Sequence, residues 1–285
     1  VTFDLSQADS HCTITAGQPA YADKSVVSAA CSWQAGAMVD HAFADAGLAG
    51  MYDAFCVGRS DFDFYLPLVM SASSVLDVGC GTGELLRRAR EQGHQGRLCG
   101  LDPAVGMLEQ ARTRTDVEWT LGDLGSATWG REFDLVVMTG HAFQVLLTDE
   151  ELRVALTAIR SALTDTGRFV FETRNPLARA WQRWTPEHAT DTTVGDGTVV
   201  RMARQVHTPV EGDLVSFTTT YTSPGWPAPR TSHSTLRFLD VDSLSALLAD
   251  VGLAVEEQFG DWNRRPHSDE DLDIITVAKR AATAG

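Results

Sequence analysis

The stretch "SSVLDVGCGTGELLRRAR", residues 73–90, places three glycines (Gly79, Gly81, Gly83) and Asp77 at one turn between an apolar strand pattern and a helical one. A tight strand-to-helix turn needs one glycine. Three at this spacing imply that the backbone there takes unusual dihedrals and that something approaches it closely. In open α/β sheets ligands sit just outside the carboxyl ends of the strands, which is where such a turn lies.

The rest of the chain supplies the sheet. "VDHAFADAGLAGMYDAFC" and "SDFDFYLPLVMS" read as helices leading in, and "SVLDVG" as the first strand. Strand patterns at "GRLCGLD", "VEWTLGD", "FDLVVMTG" and "GRFVFET" alternate with helical ones at "GELLRRAREQ", "AVGMLEQARTR" and "DEELRVALTAIRSAL". In the last of these, Leu152, Ala155, Leu156, Ile159 and Leu163 form one apolar stripe. Such alternation predicts crossover units and a mostly parallel sheet covered on both faces. After Thr173 the rhythm changes: "NPLARAWQRWTPE" reads as a helix, then "TVVRMARQVH", "DLVSFTTTYTS" and "RTSHSTLRFLD" as successive antiparallel strands. "VDSLSALLADVG" restores a helix, and "LAVEEQFGDW" and "DLDIITVAKR" close the chain as a strand pair.

The net charge is −15, from 23 basic and 38 acidic residues, which argues against a broad nucleic-acid or anionic-membrane footprint. Arg87, Arg88 and Arg90 lie on a helix and read as a solvated face. The five cysteines are scattered, with no C-x-x-C pair, so a reduced, cytoplasmic setting is expected and no metal site. No apolar run approaches the roughly 20 residues that span a bilayer. Residues 1–37 lack helical or strand periodicity and are expected to be a disordered extension, with Met38 a candidate natural start.

Two cofactor readings compete for the glycine turn. A dinucleotide site wants G-x-G-x-x-G, with pyrophosphate at the helix N-terminus. The spacing here is G-x-G-x-G, Glu84 stands where the third glycine would fall, and with Asp77 it would repel a pyrophosphate. A cationic ligand without phosphate meets no such objection. "LDVGCGTGELL" resembles motif I of the class I S-adenosylmethionine-dependent methyltransferases, and "GLDPAVGMLEQAR", "WTLGDL" and "FDLVVMTGHAFQVL" resemble the later motifs in order. The resemblance covers roughly residues 39–280 and is strongest toward small-molecule enzymes of the glycine N-methyltransferase and amino-sugar N,N-dimethyltransferase type.

That resemblance implies a Rossmann-like α/β fold: a seven-stranded sheet, six strands parallel and the last antiparallel, with an antiparallel β cap inserted after the fifth strand. The N-terminal helices and cofactor half would span residues 38–174, the cap 175–240 and the end of the main domain 241–285. It implies S-adenosylmethionine contacts from Asp77, Gly79, Cys80, Gly81 and Gly83, from Asp102 with Pro103 and Met107, and from Gly122, Asp123 and Leu124. Asp102 would grip the ribose hydroxyls, and Asp123 would accept from the adenine amino group. Thr139 and Gly140 would face the transferring methyl, Tyr52 would reach it, and Arg59 would hold the methionine carboxylate. Methyl transfer is in-line displacement, so alignment supplies most of the acceleration. His141 is the candidate base, with His233 a second, and Glu172 would orient an acceptor amine. Arg174, Trp181 and Trp184 would line the substrate pocket.

The expected partner is a small-molecule methyl acceptor, with a second copy of the chain as the assembly partner and neither membrane nor nucleic acid. Methylation of RNA or protein, NAD-type redox chemistry, and non-catalytic cofactor binding stay open as rivals.

Overall fold

The computed structural model describes Asp40, Phe43 and residues 45–282, so the extension expected over 1–37 lies outside the described residues. The first strand, β1 (Ser74–Val78), is buried from Val75 onward, as a strand with helices on both faces must be. It pairs in parallel with β2 (Arg97–Asp102) on one side and β4 (Phe133–Met138) on the other. β3 (Glu118–Leu121) lies outside β2, and β5 (Leu163–Arg174) outside β4. β11 (Asp273–Arg280) runs antiparallel to β5, and β10 (Leu253–Phe259) antiparallel to β11. The order is β10-β11-β5-β4-β1-β2-β3, with β11 alone reversed. This is the sheet the resemblance implies.

Alternation along β1 and β4 divides the core between two faces. Leu76 and Val136 pack with Leu156 and Ile159 of one helix, α6 (Asp149–Ala162). Val75 and Val137 pack on the other face with Phe64 and Tyr65 of α3 (Phe62–Ser71) and Leu86 of α4 (Glu84–Glu91). α6 begins at a capping box: Glu151 N–H donates to Thr148 Oγ1 at 3.2 Å, and Thr148 N–H donates back to Glu151 Oε2 at 2.9 Å. α5 (Val105–Ala111) follows β2, and α7 (Val241–Asp250) precedes β10.

A second, antiparallel sheet interrupts the chain between β5 and α7, in the order β6 (Thr190–Thr193), β7 (Val199–Val206), β8 (Leu214–Thr222), β9 (Arg230–Arg237). Val215, Phe217 and Thr219 of β8 are buried and their alternate neighbours less so, giving the sheet an inner face.

Two local expectations fail and one strand goes unforeseen. No α-helix forms over "NPLARAWQRWTPE"; three single 3₁₀ turns do, at Pro176–Ala178, Ala180–Arg183 and Pro186–His188. Pro176 and Pro186 have no N–H to donate, and Arg179 turns left-handed at φ 45°. The first lead-in helix is split at Gly50 into α1 (Ala46–Ala49) and α2 (Tyr52–Phe55). β6, "TDTT", carries no apolar alternation to betray it.

Candidate active site

The parallel strands end at one edge. β1 delivers Asp77, β2 Asp102, β4 the turn Thr139–Gly140–His141, and β5 Glu172 and Arg174. Because β11 is reversed, it begins at the same edge, with Asp273 opposite Arg174.

The glycine loop is held through its backbone N–H groups. Gly79 N–H donates to Leu101 O at 2.8 Å, and Gly81 N–H to Asp102 Oδ2 at 2.8 Å. All three glycines are left-handed, at φ 69°, 56° and 77°, which side chains resist. A Cβ on Gly81 would meet no atom within 4 Å, so that stretch of backbone is open to a ligand. Gly83 differs, because the Trp119 ring fills the space where its Cβ would stand, as it does at Gly100. Packing and a left-handed φ both demand a glycine at 83. Neither Trp119 nor Gly100 announced this in the sequence.

Below the loop, a cavity of about 200 Å³ is lined by Asp77, Cys80, Gly81 and Thr139, and by Tyr52 and Arg59 from the N-terminal segment. Asp77 is 1% exposed, and its Oδ1 has no hydrogen-bond partner. Burial, opposed by Arg59 and aided by Asp102 and Glu172, pushes its pKa up to about 8. Arg59 pairs with Asp61, lies 4.3 Å over the Phe62 ring and packs on Gly140, where a Cβ would come within 3.4 Å. Burial alone would lower the Arg59 pKa, but the Asp61 carboxylate more than offsets it and the group stays cationic. Burial raises the pKa of Tyr52, with the Cys56 thiol adding to the effect, so its hydroxyl keeps its proton. Burial, then Asp77 and Asp102, raise that of Cys80, so its thiol stays neutral.

Asp102 accepts from Gly81 N–H through one oxygen and from Ala104 N–H, also at 2.8 Å, through the other. Both oxygens keep a lone pair for a further donor. Pro103 is exposed, while Met107 is buried against Ala49 and Ala104. Gly122 N–H donates to Asp102 O at 3.1 Å. Exposed Asp123 uses Oδ1 to cap Gly125 and Ser126, and Leu124 is buried in the core.

Glu172, expected to orient an acceptor amine, is turned away from that role. It is 1% exposed, accepts from the Tyr65 hydroxyl through Oε2, and accepts from His141 N–H through Oε1 at 2.8 Å. With both oxygens engaged, Glu172 fixes the β4 turn. His141 is left-handed at φ 63°, and its Nε2 lies 2.8 Å from Asp273 Oδ1. Arg174 donates from Nη1 to Gln144 Oε1 at 2.9 Å and lies 5.3 Å over the Trp184 ring, with Arg204 of β7 5.9 Å from the same ring. Burial, partly countered by Asp273 and reinforced by Arg204, lowers the Arg174 pKa to about 10. Trp181 instead packs edge-on against Phe238 at 4.6 Å. His233 is exposed; its Nδ1 sits 3.0 Å from Thr218 on the face of β8 opposite Phe217, so it is not brought to this edge. Gln144, Arg204, Tyr65 and Asp273 carried no local signal in the sequence.

S-adenosylmethionine fits the residues present. The orphaned carboxylate oxygen of Asp77 suits an ammonium, the open backbone at Gly81 suits close approach, and Asp102 suits a cis-diol. An α/β sheet with this reversed strand, a glycine loop backed by carboxylates and an antiparallel cap define a methyl-transferring enzyme. The comparisons agree. A family model described as a methyltransferase domain matches residues 75–167. A dTDP-3-amino-3,4,6-trideoxy-alpha-D-glucopyranose N,N-dimethyltransferase from Streptomyces venezuelae is 32% identical over 61% of this chain and 75% of its own. A dTDP-4-amino-2,3,4,6-tetradeoxy-D-glucose N,N-dimethyltransferase from Saccharopolyspora spinosa is 28% identical over 68% of this chain and 76% of its own. The crystal structure of DesVI from Streptomyces venezuelae superposes with a TM-score of 0.61 at 26% identity, covering 82% of this chain and 98% of that one. The chain belongs to the class I S-adenosylmethionine-dependent methyltransferases, the family whose cofactor is S-adenosylmethionine. Among the described residues, no helix is long and apolar enough to cross a membrane.

Proposed function

We propose that the protein N-methylates a small-molecule amine that also carries an anionic group, bound between the C-terminal edge of the main sheet and the inner face of the cap. The observation that carries this reading is the pair Arg174 and Arg204, both near the face of Trp184, neither in a salt bridge among the described residues. Two guanidinium groups so placed repel each other until an anion arrives, and Arg forks suit phosphate or carboxylate. The relatives act on dTDP-linked amino sugars, whose diphosphate and amine together match these demands. A nucleoside-diphosphate amino sugar is therefore the acceptor class we favour.

S-adenosylmethionine, when bound, supplies an electrophilic methyl group on a sulfonium. The chain's own residues position and exclude water. Asp77, Gly81, Asp102 and Arg59 would hold the cofactor, with Cys80, Met107, Asp123 and Thr139 around it. Tyr52, which keeps its proton, lines the cavity and would present its hydroxyl toward the methyl. His141 takes the proton that an ammonium acceptor must lose before its nitrogen becomes nucleophilic. Trp184 supplies an aromatic wall, supported by Phe217 at 4.8 Å.

The same reading places the enzyme in the cytoplasm, without nucleic acid as partner, and as a homodimer to be checked by its size in solution. The net charge of −15 supports the second point. The test is transfer of labelled methyl from S-adenosylmethionine into an extract of the source cells, fractionated by size and by anion exchange. Label in small anionic amines is expected, and Arg174→Met should raise the acceptor KM about tenfold or more, the loss of one charged hydrogen bond, with cofactor affinity unchanged. Label in RNA or protein overturns the proposal.

A further inference from the structure

We infer that Asp273 is a positioning residue for His141: its carboxylate holds the imidazole by Nε2–H and leaves Nδ1 as the basic atom. The inference rests on the proposed reading of His141 as proton acceptor. His141 Nε2 and Asp273 Oδ1 are 2.8 Å apart across 132 residues of chain, so only the fold brings them together. An ionised carboxylate has no hydrogen to give, so Nε2 is the nitrogen that carries one, and the unshared pair resides on Nδ1. The two side chains are 20% and 23% exposed, sheltered enough for the charge to matter more than in a surface pair.

The backbone of His141 is fixed as well. His141 N–H is held by Glu172 Oε1 at 2.8 Å, and Glu172 is held by the Tyr65 hydroxyl. A residue with a side chain at φ 63° persists only where its surroundings hold it there. Two carboxylates, from β5 and β11, therefore grip the backbone and the ring of one histidine. Metal-binding histidines are oriented by carboxylates in the same way, through the nitrogen that does not do the chemistry. Asp273 also stands opposite Arg174 in the β5–β11 pairing, so one charge holds the histidine and balances the guanidinium proposed to bind the acceptor.

The proton balance is simple. An N–H bond of the acceptor ammonium breaks, its electron pair stays on nitrogen as the nucleophile, and the proton goes to Nδ1. The imidazolium so formed keeps Nε2–H on Asp273, whose charge is unchanged and offsets the new cation. In a wrongly oriented ring, Nδ1 would not meet the acceptor.

The test combines nuclear magnetic resonance of the ring with kinetics. In protein carrying ¹⁵N-histidine, one imidazole N–H resonance on Nε2 should resist exchange with solvent. It should vanish in His141→Gln, which assigns it, and in Asp273→Ala, which removes its partner. Turnover into the labelled small-molecule fraction should fall about 10- to 100-fold in Asp273→Ala and by less in Asp273→Asn, which still accepts a hydrogen bond. Cofactor affinity should not change in either. A protected proton on Nδ1, a resonance that survives Asp273→Ala, or wild-type turnover in Asp273→Ala overturns the assignment. A His141→Gln enzyme with full turnover instead sinks the proton-acceptor reading itself, whatever the spectrum shows.

Discussion

Asp77 ends β1 with a buried oxygen that no protein group satisfies, close to two other carboxylates and one guanidinium. In water its pKa would be near 4; in the fold it is pushed up to about 8. Between those values the native protein holds a proton that the unfolded chain has lost. Its contribution to stability is therefore full below pH of about 4, is lost progressively as pH rises, and is gone above about 8. A cationic cofactor end beside Asp77 favours the carboxylate, so binding at pH 7 should release a proton. Calorimetry of S-adenosylmethionine binding in two buffers of different ionisation enthalpy should give different apparent heats in the wild type and equal heats in Asp77→Asn. The variant should also bind about 10- to 100-fold more weakly, the worth of a charged hydrogen bond, while its cofactor-free form loses less stability toward pH 8. Equal heats in the wild type would remove Asp77 from the cofactor site.

The turn from β1 into α4 unites two demands that one glycine motif displays as a single signal. Gly81 is open to a ligand, whereas Gly83 is occupied by Trp119, whose indole N–H is anchored on Arg114 O at 2.8 Å. Gly83→Ala should destabilise the protein by about 2–4 kcal/mol, combining a left-handed side chain with overpacking. Trp119→Leu should restore the packing part but not the conformational part, and a double-mutant cycle in urea measures the split. An unperturbed unfolding midpoint in Gly83→Ala would refute this account. The same turn marks what the sequence discloses and what it hides. Local periodicity and spacing reveal the alternation of strands and helices, and the acid after "CGL" reveals Asp102, because those signals lie within a few residues of one another. "NPLARAWQRWTPE" misleads because its apolar spacing is helical while Arg179 turns left-handed and Pro186 lacks the N–H that would continue a helix. Glu172 is legible as a strand-end acid, but Tyr65, its partner, is 107 residues away, and that contact redirects its role. Asp273 and Arg204 reach the site only through a reversed strand and an inserted sheet, which no local pattern encodes.

The short N-terminal helices tie the two halves of the molecule together. Asp53 accepts from Thr82 of the glycine loop at 2.7 Å, and Ala49 packs on Ala104 and Met107 beside Asp102. From the same segment, Phe55 meets Tyr221 of β8 at 5.8 Å, and Asp45 lies 3.6 Å from Arg230 of β9. The contacts to the glycine loop and to α5 border the proposed cofactor site, and those to the cap border the proposed acceptor site. A ligand that orders the first set should order the second without touching it, because α1 and α2 are too short to be stable alone. At a cofactor concentration 100 times its dissociation constant, linkage stabilises the native state by about 2.7 kcal/mol, which for a domain of this size raises the melting temperature by roughly 5–10 °C. NAD at the same concentration should give no shift. Hydrogen exchange should then slow in α1, α2 and the inner half of β8, but not on the far side of β3. In Phe55→Ala, the protection of β8 should disappear while that of the glycine loop remains. Protection confined to residues 79–83 in the wild type would mean that the N-terminal helices rest on the cofactor half without coupling it to the cap, and that acceptor binding is organised by the cap alone.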